Sequence, residues 1–269
     1  MTAAVVRDVV YAELPGFRPL TLDLHLPDAR PAPVVVFVHG GGWRLGSRRT
    51  FTPGLSEAES FGRITAAGFA VAAVDHRLSG EAVFPAPVDD VVAAVRWLRA
   101  HGPERGVDAA RAVLWGESSG AHLAALAAIR EPDGVAGVVD WYGPADLTRL
   151  GRDLFPADPD RFDRDPRTRE AGLLGGPVGE RRDLAAAASP ARQVRPGLPP
   201  FLVAHGEADD LMPIAQSEAL VAALTAHGVP AEFIRVPSAG HFWRGAADVG
   251  SLFAAALAFA SRVTGSAGR

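Results

Sequence analysis

The residues around Ser118 have the types and spacing that nucleophilic catalysis requires. Residues 116–120 read Gly-Glu-Ser-Ser-Gly and fit the pattern G-x-S-x-G. An apolar run at 112–115 precedes them, and an Ala- and Leu-rich stretch typical of a helix follows at 122–129. A serine on a sharp turn between strand and helix holds its hydroxyl above the sheet edge, and flanking glycines avoid a clash there. We therefore predict that Ser118 is a nucleophile and that the Ser119 N–H, at a helix N-terminus, faces any oxyanion that forms.

A glycine-rich loop could supply the other half of an oxyanion-binding site. Residues 39–43 read His-Gly-Gly-Gly-Trp and directly follow the apolar run 34–38. Consecutive glycines let backbone N–H groups come close to a ligand, and loops of this type serve that purpose in many hydrolases. We predict Gly41 and Gly42 as the donors, with a plain glycine turn as the alternative.

Two adjacent carboxylates follow the apolar run 201–204. A carboxylate at the end of a strand can orient an imidazole and stabilise its protonated form. We favour Asp209 over Asp210 for this role. The alternative role for Asp210 is the N-cap of the helix that begins near Pro213.

His241 is the candidate base. It follows Gly240 in a loop after the last predicted strand, where it can be exposed enough to act first as base and then as acid. The chain order Ser118, Asp209, His241 is the order expected for a triad on an α/β-hydrolase sheet.

These motifs together resemble those of the α/β-hydrolase carboxylesterases with an HGGG oxyanion loop. The chain is similar to the hormone-sensitive-lipase-like esterases and, more closely, to the bacterial group of xylan acetyl and feruloyl esterases. The resemblance covers about residues 5–260 and includes the segments 75–79 and 84–90. Two positions depart from it. His76 stands where the family usually has tyrosine, which concerns local packing. Glu117 precedes the nucleophile, where the nearer relatives often carry other residues and carboxylesterases often carry Glu.

The resemblance implies a serine carboxylesterase that acts on short-chain or small aromatic esters through an acyl-enzyme, with no cofactor. Two other readings stay open. The HGGGW loop and residues 120–123 also resemble arylformamidases, so an amidase with the same triad is possible. A relative that binds ligands without hydrolysing them is the alternative from another class.

The composition excludes several kinds of chemistry. The chain of 269 residues has no cysteine, so it has no disulfide, thiolate nucleophile or cysteine-based metal site. All of its basic side chains other than histidine are arginine, so Schiff-base lysines and Ser-Lys dyads are excluded too. No metal-ligand spacing is present. A net charge of −4 does not favour nucleic acid, and no apolar stretch is long enough to cross a membrane. We expect a cytoplasmic monomer or homodimer that acts on a small-molecule ester.

Apolar runs alternate with helical patterns along the whole chain, which predicts an α/β fold with a mostly parallel sheet of eight strands flanked by helices. We treat residues 1–269 as a single α/β-hydrolase domain. The first two strands, which alternate more, are predicted to pair antiparallel at the sheet edge. Strands are predicted at 5–11, 20–26, 34–38, 70–75, 112–115, 137–141, 201–204 and 233–236, and helices at 56–67, 88–100, 119–129, 213–227 and 246–262.

One segment interrupts this alternation. Residues 146–200 are irregular and rich in Pro, Asp and Arg. We predict a small cap over the site, because loops at the carboxyl ends of strands carry function. A solvated surface excursion is the alternative.

The remaining candidates are aromatic and histidine side chains near the motifs. We predict that Trp43 and Trp243 contact the substrate, with core packing as the alternative. His39, His122 and His205 are predicted to hold structure through hydrogen bonds. Arg77 and Asp90 are expected to pair beneath the site, and the surface histidines are predicted to be His25, His101 and His227.

Overall fold

All eight predicted strands form one sheet. The protein is described by a computed structural model that covers residues 4–53 and 55–266. The strands lie in the order β1-β2-β4-β3-β5-β6-β7-β8. Their bounds are β1 Ala4–Ala12, β2 Leu20–Leu26, β3 Ala32–Val38, β4 Ala70–Val74, β5 Val107–Glu117, β6 Val135–Trp141, β7 Phe201–Gly206 and β8 Ala231–Val236.

Most neighbouring strands of the sheet run parallel. Every residue of β3 and β4 is buried, as expected for parallel strands with helices on both faces. The pairs from β4 through β3 and β5 to β8 are parallel, whereas β1–β2 and β2–β4 are antiparallel. The predicted antiparallel pair at the edge is therefore confirmed, and so is the mostly parallel sheet of eight strands.

The helices pack on both faces of this sheet. The bounds are α1 Glu57–Ala66, α2 Ala86–His101, α3 Ser119–Arg130, α4 Leu150–Leu154, α5 Pro159–Arg164, α6 Arg169–Leu174, α7 Arg182–Ala187, α8 Pro190–Gln193, α9 Ala215–Ala226 and α10 Val249–Thr264. One hydrophobic cluster joins α2, α3 and α9 to alternate residues of the strands, and a second joins α1 and α10 to the others. In the part of the chain that the structure describes, no helix is long and apolar enough to cross a membrane.

The segment predicted as a cap contains only short helices. Residues 146–200 lie between β6 and β7 and hold α4 to α8, with a short 3-10 helix at Val178–Glu180. Phe162, Leu173 and Leu174 of this segment belong to the same hydrophobic cluster as α2 and α3. The segment thus packs on the same face of the sheet as α2 and α3. Its role as a cap stays a prediction.

His25 corrects the sequence analysis. We predicted a surface position, but β1 covers β2 on one side and α1 packs over it, so the ring is buried. It lies 4.8 Å from the ring of Phe61, centroid to centroid. Burial lowers the pKa of His25.

A buried ion cluster fixes the chain after the glycine loop. The Arg48 guanidinium donates hydrogen bonds to the carboxylates of Asp8, Asp23 and Asp75, and the Arg48 N–H donates a further one to Asp75. Burial acts to raise the pKa of Asp23, but hydrogen bonds from Arg49 and Arg48 outweigh it and hold this pKa well below its usual value. The cluster therefore ties β1, β2 and the end of β4 to the segment that carries the glycines. The predicted Arg77–Asp90 pair is also present, with Nη2–Oδ1 at 2.6 Å.

We expect Arg48→Met to lower the free energy of unfolding by at least about 3 kcal/mol, because it leaves the Asp75 carboxylate without its arginine partner and removes the buried guanidinium from Asp23. Arg49→Met is the matched control, since its side chain is 44% exposed and it also contacts Asp23. Urea unfolding at pH 7 measures both. An equal loss in the two variants would show that burial of the ion pair is not what matters.

Candidate active site

Ser118 occupies the turn between β5 and α3. Its backbone angles, φ 53° and ψ −125°, are sparsely populated for a residue with a side chain. Hydrogen bonds on both sides hold it there: its N–H donates to the Trp141 carbonyl at 2.8 Å, and its carbonyl accepts from the His122 N–H at 3.2 Å. A Cβ on Gly120 would overlap the carbonyl oxygen of Val38, so only glycine fits this turn.

His241 links Ser118 to Asp209. The Ser118 Oγ lies 3.0 Å from His241 Nε2, and the Asp209 Oδ2 lies 2.7 Å from His241 Nδ1. With Nδ1–H donating to the carboxylate, Nε2 is free to accept the serine proton. The structure thus brings together the three residues that the sequence analysis selected, at hydrogen-bond distance and in the order a proton transfer needs.

The loop after β7 holds the Asp209 carboxylate in place. Its Oδ1 accepts hydrogen bonds from the N–H groups of Leu211 and Met212, at 2.9 and 2.8 Å. The ring of His205 lies behind it, with Nε2 donating to the Met212 carbonyl at 2.7 Å and 3.3 Å from Asp209 Oδ2. Burial acts to raise the pKa of Asp209, but hydrogen bonds from His205 and His241 outweigh it and keep this pKa well below its usual value. The carboxylate is therefore charged at neutral pH.

Asp210 points away from this arrangement. Its side chain is 81% exposed and lies 3.6 Å from Arg244. The prediction that it caps the next helix is wrong, because α9 begins at Ala215 and Ile214 occupies the N-cap position. The chain needs several residues after β7 to close the Asp209 loop, which moves the helix start beyond the reach of Asp210.

The glycine loop lies beside the nucleophile. A Cβ on Gly40 would come 3.5 Å from the Ser118 Cβ. Gly41 and Gly42 have φ of 120° and 62°, and a Cβ on Gly41 would overlap the Leu45 carbonyl. The N–H groups of Gly41 and Gly42 have no acceptor among residues 4–53 and 55–266. They are available to a ligand, as is required of the predicted oxyanion donors.

Comparisons with known proteins identify the family. The BD-FAE family model matches residues 22–224. This chain belongs to the BD-FAE family. Among solved structures, a truncated carbohydrate esterase from gut microbiota superposes with a TM-score of 0.82 at 27% identity, covering 98% of this chain and 97% of that one. The predicted α/β-hydrolase fold is therefore confirmed.

Two curated relatives come from Mycobacterium tuberculosis. Esterase LipQ is 32% identical over 266 residues, which cover 93% of this chain and 60% of LipQ. Carboxylesterase NlhH is 33% identical over 218 residues, which cover 78% of this chain and 66% of NlhH. This BD-FAE chain thus spans less than two thirds of the length of either relative. The resemblance to carboxylesterases that the motifs indicated is confirmed.

The two tryptophans are packed into the interior of this BD-FAE protein. Trp43 is 1% exposed, and its Nε1–H donates to His122 Nδ1 at 3.2 Å. The His122 Nε2–H donates in turn to the Ala188 carbonyl at 2.6 Å, which confirms the structural role predicted for this histidine. Trp243 is 3% exposed and packs edge-on against Trp141. Contact of Trp43 and Trp243 with a substrate stays a prediction.

His39 and His76 form a stacked pair under the glycine loop. Their ring centroids are 4.4 Å apart, and His39 Nδ1–H donates to the Gly40 carbonyl at 2.7 Å. Burial lowers the pKa of His39 to about 3, so the ring is neutral. The predicted role of His39 in holding the loop is confirmed, and His76 supplies a flat ring where the family usually has tyrosine.

The sequence analysis missed a polar triad beneath the nucleophile. The Glu117 carboxyl accepts hydrogen bonds from the hydroxyls of Thr52 and Tyr142, the latter at 2.9 Å. The Tyr142 ring packs on His241, with centroids 4.7 Å apart. Burial raises the pKa of Glu117 to about 7. The acidic residue in Gly-Glu-Ser was a usable signal for this triad, whereas nothing in the local sequence indicated Thr52.

We expect Glu117→Gln to remove a pH-dependent loss of stability. The pKa of Glu117 is raised from 4.5 to about 7 in the folded protein, so its contribution is complete below pH 4.5 and is lost as the pH rises through 7. Between pH 5 and pH 8 the free energy of unfolding of the wild type should fall by up to about 3 kcal/mol more than that of Glu117→Gln.

Urea unfolding across this pH range is the measurement. Glu104→Gln makes the same change on an exposed side chain and is the control. Parallel pH curves for wild type and Glu117→Gln would contradict the raised pKa.

Proposed function

We propose that this chain is a serine carboxylesterase that hydrolyses short-chain or small aromatic carboxylic esters. One observation carries the proposal: Ser118, His241 and Asp209 are joined by hydrogen bonds of 3.0 and 2.7 Å beside a loop with unpaired backbone donors. The names of LipQ, NlhH and the gut carbohydrate esterase, all esterases, support it.

In the proposed first step, the Ser118 Oγ attacks the carbonyl carbon of the ester and its proton passes to His241 Nε2. Asp209 keeps the imidazole in the required tautomer and stabilises its positive charge. The negative charge that develops on the carbonyl oxygen is bound by N–H groups of Gly41, Gly42 and Ser119. Each such donor lowers a barrier of this kind by about 3 kcal/mol.

The tetrahedral intermediate then collapses in two stages. The C–O bond to the alcohol breaks as His241 gives its proton to the leaving oxygen, which leaves the acyl group on Ser118. Water attacks the acyl-enzyme while His241 takes one of its protons, and the second collapse releases the carboxylic acid and restores the Ser118 hydroxyl. Every proton taken by His241 is returned, so the cycle needs no cofactor.

The proposed substrate size follows from the region around the site. The segment 146–200 is the proposed cap, and its helices are only four to six residues long. We propose that it shapes a pocket for a small soluble ester, because so little chain provides no broad apolar lid for an emulsified lipid.

We expect Ser118→Ala to reduce ester turnover by at least about 10⁴-fold, since the remaining donors can bind the oxyanion but no acyl-enzyme forms. The measurement is hydrolysis of p-nitrophenyl esters from acetate to decanoate, with N-formylkynurenine alongside. Turnover of N-formylkynurenine but of no ester would make the protein an amidase that uses the same Ser-His-Asp residues. Equal rates for wild type and Ser118→Ala would overturn the serine mechanism.

Asp209→Asn and Asp210→Asn separate the two neighbouring carboxylates. We expect the first to lower kcat by about 10⁴-fold, because an amide in this position favours the wrong imidazole tautomer. The second should leave kcat within about twofold, because its side chain is 81% exposed and faces Arg244. Circular dichroism checks that both variants fold. The reverse order of effects would reassign the acid.

A further inference from the structure

A cleft of about 370 Å³ opens between the cap segment, the glycine loop and the Asp209 loop. Arg44 lines it two residues beyond Gly42, and Asp210 and Leu211 line it directly after Asp209. The cleft thus borders two of the three loops that carry the proposed catalytic groups. Arg169, which also lines the cleft, lies over Gly42 and so connects the cleft to the glycine loop.

Arg169 brings a positive charge to the glycine loop. Its half-buried side chain lies over Gly42, where a Cβ would come 2.6 Å from Arg169 Cδ. Arg44 reaches the same cleft and makes a hydrogen bond to the Arg167 carbonyl at 3.4 Å. In residues 4–53 and 55–266, no carboxylate oxygen lies within 4.0 Å of either guanidinium group of Arg44 or Arg169. Apart from the bond of Arg44 to the Arg167 carbonyl, the guanidinium donors of both residues are open to a ligand.

The carboxylates of the cleft are accounted for differently. Asp165 pairs with Arg167 at 2.9 Å, and Asp210 lies 3.6 Å from Arg244. Glu170 is buried, and that burial raises its pKa against the opposing charges of Arg169 and Arg44. The cleft therefore presents two guanidinium groups without a carboxylate partner beside the glycine loop, whereas two of its carboxylates lie close to other arginines.

Apolar side chains form another part of the lining of the cleft. Leu154, Phe155, Phe162 and Leu211 line the cleft, and the Phe155 ring is 39% exposed. The Arg161 guanidinium lies 5.5 Å from the centroid of this ring. A cleft lined both by apolar side chains and by guanidinium groups without a carboxylate partner suits a ligand with an alkyl chain or ring and a negatively charged group.

We propose, on the basis of the esterase function above, that this cleft selects esters whose acyl or alcohol part carries a carboxylate. Arg169 and Arg44 bind the carboxylate, and the apolar side chains of the cleft contact the chain or ring between it and the ester. Charge-assisted hydrogen bonds to a guanidinium are about twice as strong as neutral ones, so they discriminate between charged and neutral esters of one shape. The neutral ester would leave both arginines without a partner.

Two pairs of substrates test this selection. Monomethyl adipate against methyl hexanoate places the charge on the acyl part, and 4-acetoxybenzoate against 4-acetoxybenzamide places it on the alcohol part. We expect the wild type to prefer the charged member of at least one pair by about tenfold in kcat/KM, measured in a pH-stat. The pair that shows the preference identifies which part of the ester occupies the cleft.

Arg169→Gln and Arg44→Gln test the assignment to residues. Each should lower kcat/KM for the charged ester by about tenfold, mainly through KM, and change it for the neutral ester by less than about twofold. Arg164→Gln is the matched control, because this arginine lies on α5 of the same segment but does not line the cleft. Raising the salt from about 0.05 M to about 0.5 M should raise KM for the charged ester alone, because salt screens the attraction between carboxylate and guanidinium.

The outcomes separate the two proposals. Hydrolysis of neutral esters with no preference for the charged ones, and no change of the ratio in Arg169→Gln or Arg44→Gln, overturns the substrate class and leaves the esterase standing. No turnover of any of the four esters, together with none of the p-nitrophenyl esters, overturns both. An equal loss on charged and neutral esters in Arg169→Gln also overturns the substrate class, because it assigns Arg169 to the stability of the glycine loop.

Discussion

The close approach of α3 to the carboxyl end of β3 is the constraint on which the rest of the site depends. Gly120 has no room for a Cβ beside the carbonyls of Val38 and His39. Only this approach lets the first turn of α3 and the glycine loop share one corner of the sheet. Gly40 then lies beside Ser118, directly before the predicted backbone donors at Gly41 and Gly42. The strained angles of Ser118 follow from the same approach and are held by hydrogen bonds to Trp141 and His122.

Two buried carboxylates near His241 have pKa values shifted in opposite directions. Asp209 receives four N–H contacts from its own loop and two histidines, so its charged form is favoured. Glu117 receives only two hydroxyl hydrogen bonds at a fully buried position, so its neutral form is favoured up to about pH 7. The difference decides which carboxylate can stabilise an imidazolium. It is set by the surroundings, because Asp209 lies in a loop that supplies N–H donors, whereas Glu117 is the last residue of β5.

The fold and the close approach of the candidate-site residues could be predicted because their signals are local. Continuous apolar runs mark buried parallel strands, and the glycines at 41 and 120 mark places where backbone approaches backbone. The Asp210 cap failed on local loop geometry, but Thr52 and His25 were missed or wrong because they depend on contacts between distant parts of the chain. Thr52 meets Glu117 across 65 positions, and His25 is buried by α1, which begins beyond residue 56. No window of sequence around either residue contains that information.

His122 joins the glycine loop to the segment between β6 and β7. One ring nitrogen accepts from Trp43 and the other donates to Ala188, so the ring has a single workable protonation pattern. A foreign segment grafted between β6 and β7 would have to present a carbonyl at the same point in space. Without that carbonyl the His122 ring would lose its acceptor, and its hydrogen bond from Trp43 would no longer be held in place. Whether a segment between β6 and β7 fits this sheet thus depends on one backbone carbonyl, that of Ala188.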